Sequence, residues 1–130
     1  MRTRKLALTI DTAVSTTVSS AQLIADVSIN GIQWPSSWTS SGDIADPSVT
    51  VQTIPITDQS GTVAAPAEAD WNTMVEESGA PISIRVQAGK VTVLSGIELS
   101  ALLAAHWVRF VSDVAQASNR TINLLGVQGK

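Results

Sequence analysis

The chain has no cysteine and no tyrosine, one phenylalanine and one histidine. Without cysteine there is no disulfide framework, no thiolate zinc site and no thiol nucleophile. Charge is scarce as well. Charged residues make up 15% of the 130, against about 25% in ordinary soluble domains. The net charge is −3, and the only clustered cations are Arg2, Arg4 and Lys5. Neutralising phosphates takes several gathered cations, so direct nucleic-acid binding is not expected. Long apolar runs are missing too. The longest, Ala101–Ala105, is far below the roughly 20 residues of a membrane span, so no membrane partner is expected. The basic start leads into Leu6-Ala7-Leu8, but Thr9 and Asp11 interrupt it. That pattern reads as a strand rather than the apolar core of a signal peptide.

Catalytic constellations fail on the same scarcity. His106 sits between Ala105 and Trp107, and no serine lies in a Gly-x-Ser-x-Gly elbow, so a hydrolytic triad has no anchor. Asp43 and Asp46 offer two carboxylates from one loop, whereas calcium takes six to eight oxygens; a solvated loop is the expectation. Glu76 and Glu77 are adjacent, so on a strand they point to opposite faces and make a poor acid/base pair. No Gly-rich phosphate loop is present. Asn119-Arg120-Thr121 matches a glycan acceptor, but a turn leading into a strand explains it without a glycan. The expectation is a non-enzyme with no cofactor, no metal and no small-molecule substrate.

What the chain has instead is hydroxyls and alternation. Ser and Thr take the place of the missing charges. A hydroxyl-rich, charge-poor surface loses little hydration when a partner covers it, which suits an interaction protein. The same composition also suits an ordinary β-domain exterior. Leu6, Leu8 and Ile10 share one face of a first strand. Thr12–Ser20 reads as a polar edge strand or a loop. Val27 and Ile29 stand on one parity and Ile32 and Trp34 on the other, so Asn30-Gly31 is a turn or, preferably, a bulge within a strand from Val27 to Trp34. Ser36–Pro47 is a loop. A strand covers Val49 to Thr53, and a long loop runs from Thr57 to Asp70. A short strand follows over Trp71–Val75, with a turn at Glu76–Gly79. Ile82, Ile84 and Val86 alternate. Ala88-Gly89-Lys90 reads as a hairpin turn, with Val91 and Val93 on the returning strand. Leu99, Leu102 and Leu103 predict one short helix over residues 98–106. Trp107–Val111 reads as a strand with Trp107 in the core, Asp113–Arg120 as a loop, and Ile122 onward as the last strand. Seven to nine short antiparallel strands at this spacing predict an all-β sandwich or jelly roll in a single domain over 1–130, with residues 1–5 as a flexible basic arm.

Four tryptophans stand out against the missing tyrosine. Trp34 and Trp38 bracket Pro35-Ser36-Ser37, and Trp71 follows an acidic stretch. Such rings can plug an open end of a sandwich, anchor a protein interface or stack on sugars.

Two stretches carry a family likeness: Ile32-Gln-Trp-Pro-Ser-Ser-Trp-Thr39 and Gln116-Ala-Ser-Asn-Arg-Thr-Ile-Asn-Leu124. Between them lie the Glu-Glu-Ser-Gly turn, the alternating strands, the short helix and Trp107-Val-Arg-Phe-Val111. This order resembles small virion structural proteins of tailed bacteriophages, some of which are capsid decoration (cement) proteins. Residues 57–75, with an Ala-rich insertion before Asp70-Trp71-Asn72, depart from that pattern. The resemblance implies a β-sandwich or jelly roll with no catalytic residues. It implies a protein made in the cytoplasm of the bacterial host that binds the outer surface of the capsid, across neighbouring major capsid subunits, as a homotrimer. On this reading the interface draws on Arg2, Arg4, Lys5, Trp34, Pro35, Trp38 and Trp71. Two other expectations remain beside it: a head–tail or tail-associated virion protein, and a carbohydrate-binding module of a fibre or spike.

Overall fold

Alternating apolar residues need a surface to face, and in the computed structural model they face one another. The structure describes residues 2–44, 46–54 and 71–129. Among these, nine strands and one helix follow in order: β1 (Thr3–Ile10), β2 (Gln22–Leu23), β3 (Val27–Gln33), β4 (Ser48–Ile54), β5 (Asn72–Thr73), β6 (Ser83–Arg85), β7 (Val91–Val93), α1 (Gly96–Ala104), β8 (Trp107–Ser112) and β9 (Arg120–Gln128). One sheet has the order β1-β9-β3-β7 and the other β2-β8-β4-β5, with β6 also paired to β4. The named strand pairs are all antiparallel. Leu8, Val27, Ile29, Ile32, Ile122 and Leu124 come from the first sheet, and Val49, Val51, Ile84, Val108 and Phe110 from the second; all belong to one buried cluster. Ala101 and Leu102 of α1 join it. The all-β sandwich read from the alternation is the fold.

The bulge expected at Asn30-Gly31 is present. Ile29 pairs with Gly126 and Gly31 with Leu125, so Asn30 is the extra residue. It resets the parity, which lets Ile29 and Ile32 both face the core although they stand an odd three positions apart. Gly126 of β9 is what admits the bulge. A Cβ there would collide with the Ser28 carbonyl, with further backbone atoms of Ser28 and Ile29 close behind.

Four expectations are corrected. Ile82–Val86 and Val91–Val93 do not form a hairpin: β6 pairs with β4 in one sheet and β7 with β3 in the other. The intervening turn, held by Lys90 N–H donating to the Gln87 carbonyl at 3.0 Å and by Gly89 N–H donating to the Pro35 carbonyl at 2.8 Å, is an arch between sheets. Local alternation is the same for a hairpin and an arch, since both keep alternate residues inside. The helix spans residues 96–104 rather than 98–106, because His106 C=O accepts the Ile24 N–H at 2.7 Å and is drawn into strand pairing. Of the arm expected over residues 1–5, Thr3, Arg4 and Lys5 are not free but pair with Val127, Gly126 and Leu125 of β9. Trp107 lies outside the core cluster, on the parity of Arg109, because Val108 and Phe110 take the inward positions of β8.

Thr12–Ser20 is mostly turn, touching the second sheet at a Val18–Val111 bridge. The short strand expected at Trp71–Val75 is β5, and the turn at Glu76–Gly79 is closed by Gly79 N–H donating to the Glu76 carbonyl at 2.8 Å. β5 and β6 are two halves of one outer strand along β4, interrupted by a loop over residues 75–81. Met74 N–H donates to Val51 C=O, Val51 N–H to Ile82 C=O and Ile82 N–H to Met74 C=O, a triangle that pins the neck of the loop. The long loop expected over 57–70 lies outside the described residues.

Gly126→Ala should lower the unfolding free energy by about 1–3 kcal/mol, the range for forced overpacking. Gly42→Ala, where an added Cβ meets nothing within 4 Å, serves as the control. Urea unfolding of both variants reads the difference, and equal midpoints would refute the role given to Gly126.

Candidate docking surfaces

The Trp34–Trp38 end is built by the parity of β3 beyond the bulge. Trp34 falls inward and is only 3% exposed. Its Nε1–H donates to Thr92 Oγ1 at 2.8 Å. The Trp38 ring meets it edge to face at 6.1 Å and 78°, the geometry preferred by aromatic quadrupoles. Trp38 is half-buried against the core, and its buried Nε1–H has no partner among the described residues. Pro35 uses its carbonyl to hold Gly89. These three residues close the end of the sandwich, and a ring as buried as Trp34 offers a partner almost no surface.

A polar network fastens the same end. Gln116, 3% exposed, accepts the Thr39 N–H at 2.9 Å and donates to the Thr39 carbonyl at 3.3 Å, so its side-chain amide acts as a short strand. Arg120 donates to Gln116 Oε1, Ser37 Oγ and Thr39 Oγ1 at 3.0–3.1 Å. The stretches 32–39 and 116–124 are thus one physical unit. Asn119 Oδ1 accepts both the N–H and the hydroxyl of Thr12 at 2.9 Å, so that amide serves the loop fold.

The other candidate residues lie elsewhere. Ile10 pairs with Arg120 at the tryptophan end of the first sheet, and Thr3 pairs with Val127 at the opposite end. Arg2, Arg4 and Lys5 therefore sit a strand's length from Trp34, Pro35 and Trp38. Arg4 donates to Gln128 Oε1 at 2.6 Å. Trp71 belongs to the second sheet, next to β5.

There the structure reveals a residue that the sequence reading left unmarked. Arg109 is 7% exposed on the outer parity of β8. Its Nε–H donates to Gln52 Oε1 at 2.7 Å, and its guanidinium lies 4.5 Å from the centre of the Trp71 ring. A desolvated cation–π contact of this kind is worth about 2 kcal/mol. The signal was present: Arg109 is the single charge in Trp-Val-Arg-Phe-Val. Beside it runs a groove of about 560 Å³ whose lining includes Thr9, Asp11, Val14, Ser19 and Arg109. Val14, at the tip of the 11–15 turn, is 84% exposed.

Among the described residues, no group of three His, Asp or Glu side chains could hold a metal ion. Asp46 pairs with Arg85 at 2.7 Å in the open, a contact worth at most about 1 kcal/mol. His106 Nδ1 is buried without a hydrogen-bond partner among the described residues. Among the described residues, no helix is long and apolar enough to cross a membrane.

No protein-family model, curated protein or solved structure matches this chain. Gln116→Ala should cost about 1–3 kcal/mol, because it leaves the backbone groups of Thr39 without partners. Gln87→Ala, at an exposed turn position, should change stability by under about 0.5 kcal/mol. Comparable losses in thermal or urea unfolding would remove the distinction.

Proposed function

We propose that this chain is a non-enzymatic bacteriophage virion protein of the capsid-decoration type, which binds across major capsid subunits on the outer surface of the head and self-associates, on the resemblance as a trimer. The observation that carries the reading is the outer face of the β1-β9-β3-β7 sheet. Thr9, Asn123, Leu125, Val127, Val91 and Val93 take outward positions by strand alternation. Among the strand positions of that face, Lys5 is the one charge. Val91 is 54% and Val93 81% exposed. Hydroxyls, amides and small apolar groups lose little hydration on contact, and a four-stranded face offers breadth rather than a pocket. Many weak, simultaneous contacts across a shell add to a strong total.

Further support comes from the likeness of residues 32–39 and 116–124 to the phage family. The polar side chains of those stretches hold the fold's end together rather than gather around a substrate.

Purified protein added to expanded phage heads should co-sediment in copy numbers comparable to the major capsid protein. Val93→Asp, a change at an exposed position, should leave folding intact and weaken that binding about tenfold, the effect of roughly 1.4 kcal/mol. A few copies per particle would favour a head–tail or tail-associated part. Tryptophan fluorescence changes with glycans, lost in Trp71→Ala, would favour a sugar-binding module. Either result would overturn the decoration reading.

A further inference from the structure

We infer that copies of this chain associate head to tail, the cationic free edge of β1 in one copy docking against the acidic 75–81 loop of the next.

β1 is an edge strand, bonded only to β9 within its sheet. Its even-numbered residues face β9, since Gln128 N–H donates to the Arg2 carbonyl at 2.8 Å. In an antiparallel ladder the alternate residues then turn their N–H and C=O groups outward. Part of that outward row is already covered. Thr9 C=O accepts Ser20 N–H, Thr9 N–H donates to Ser20 Oγ, and Ala7 C=O accepts from Gln22 Nε2. The cover ends at Ala7, and the ladder leaves Thr3 and Lys5 with outward backbone groups. The same few residues carry Arg2, Arg4 and Lys5. The acid at this end is Asp26, bonded to Gln128 Nε2 at 2.9 Å, so the edge stays net positive. A lysine on an open edge deters indiscriminate strand pairing; an acidic partner lifts that deterrent.

The opposite side of the sandwich carries the complement. The β5/β6 strand is the far edge of the second sheet, and its loop projects Glu76 and Glu77. The loop is braced by Glu76 N–H donating to the Ala80 carbonyl at 2.8 Å and by the Val75–Pro81 bridge. Glu76, Glu77, Ser78 and Ile97 line a shallow hollow there, of about 620 Å³. Val75 is 52% and Ile97 39% exposed beside the two carboxylates. The nearby cation, Arg85, is engaged with Asp46.

Two complementary patches on opposite sides of one molecule cannot meet within a copy, but they can meet between copies. Such a contact is heterologous, so it closes into a ring or extends into a chain according to its rotation. This deepens the self-association part of the proposed function and rests on that reading for its purpose. Its test uses the isolated protein without capsids, so its failure is distinct from failure of capsid binding.

The test is light scattering on the purified chain. Wild type at low salt should weigh a multiple of 13.6 kDa, and should shift towards one copy in about 0.5 M salt, where the screening length falls to a few ångströms. Arg2→Glu with Lys5→Glu, and separately Glu76→Lys with Glu77→Lys, should each remain folded by circular dichroism and weaken association at least about tenfold. Combining all four substitutions in one chain exchanges the charges and should restore the wild-type mass. Wild type that stays monomeric at low salt, association indifferent to salt, or a folded four-fold variant that stays monomeric would each overturn the inference.

Discussion

The pairing of β9 with both β1 and β3 is the constraint on which the other features rest. β9 runs through the middle of its sheet and aligns eight residues of β1 on one side. On the other side it meets β3 across the bulge at Asn30. Gly126 supplies the space that this bulge needs, and the bulge turns Ile32 and Trp34 inward. From Trp34 follow the closed end, the Trp38 contact and the position of Thr39. From the start of β9 follow Arg120 and, just upstream, Gln116, which grip Thr39 from the other side. One strand thus sets the register of a sheet and the closure of an end.

Much of the fold was legible because burial writes itself into alternate positions. Strand parity, the bulge and the turn at Glu76–Gly79 all came from local pattern. What was not legible depends on which sheet a strand joins. The 82–86 and 91–93 segments alternate as a hairpin would, yet three-dimensional packing sends them to different sheets. Arg2, Arg4 and Lys5 read as a free arm because nothing local announces a pairing partner 120 or more residues away. The helix end was misplaced by two residues because a carbonyl contact from Ile24 captures His106. Of the site, the closing role of Trp34 was among the options read from sequence, while Arg109 escaped because its partners, Gln52 and Trp71, lie far from it in the sequence.

The polar side chains follow a consistent division of labour. Gln116, Arg120, Asn119 and Thr39 are committed to holding loops, and Arg109 to fixing Trp71 and Gln52. The outer face of the first sheet is left with hydroxyls, amides and aliphatic groups, and with Lys5 as its one charge. Arg2, Arg4 and Lys5 gather at one edge of the sandwich, and Glu76 and Glu77 on the loop at the other. The side chains that fasten the fold and those that face solvent are thus largely different sets.

The late place of β9 in the chain also has a temporal consequence. As the polypeptide emerges from a ribosome, β1 and β3 are available long before the strand that must lie between them. Until residues 120–128 appear, the first sheet has no centre, and both strands present unfilled edges. Contacts of such long sequence separation form slowly, so the nascent chain carries the apolar strands β1 and β3 exposed until residues 120–128 have emerged. The basic residues at the start of β1 charge its edge during exactly that wait.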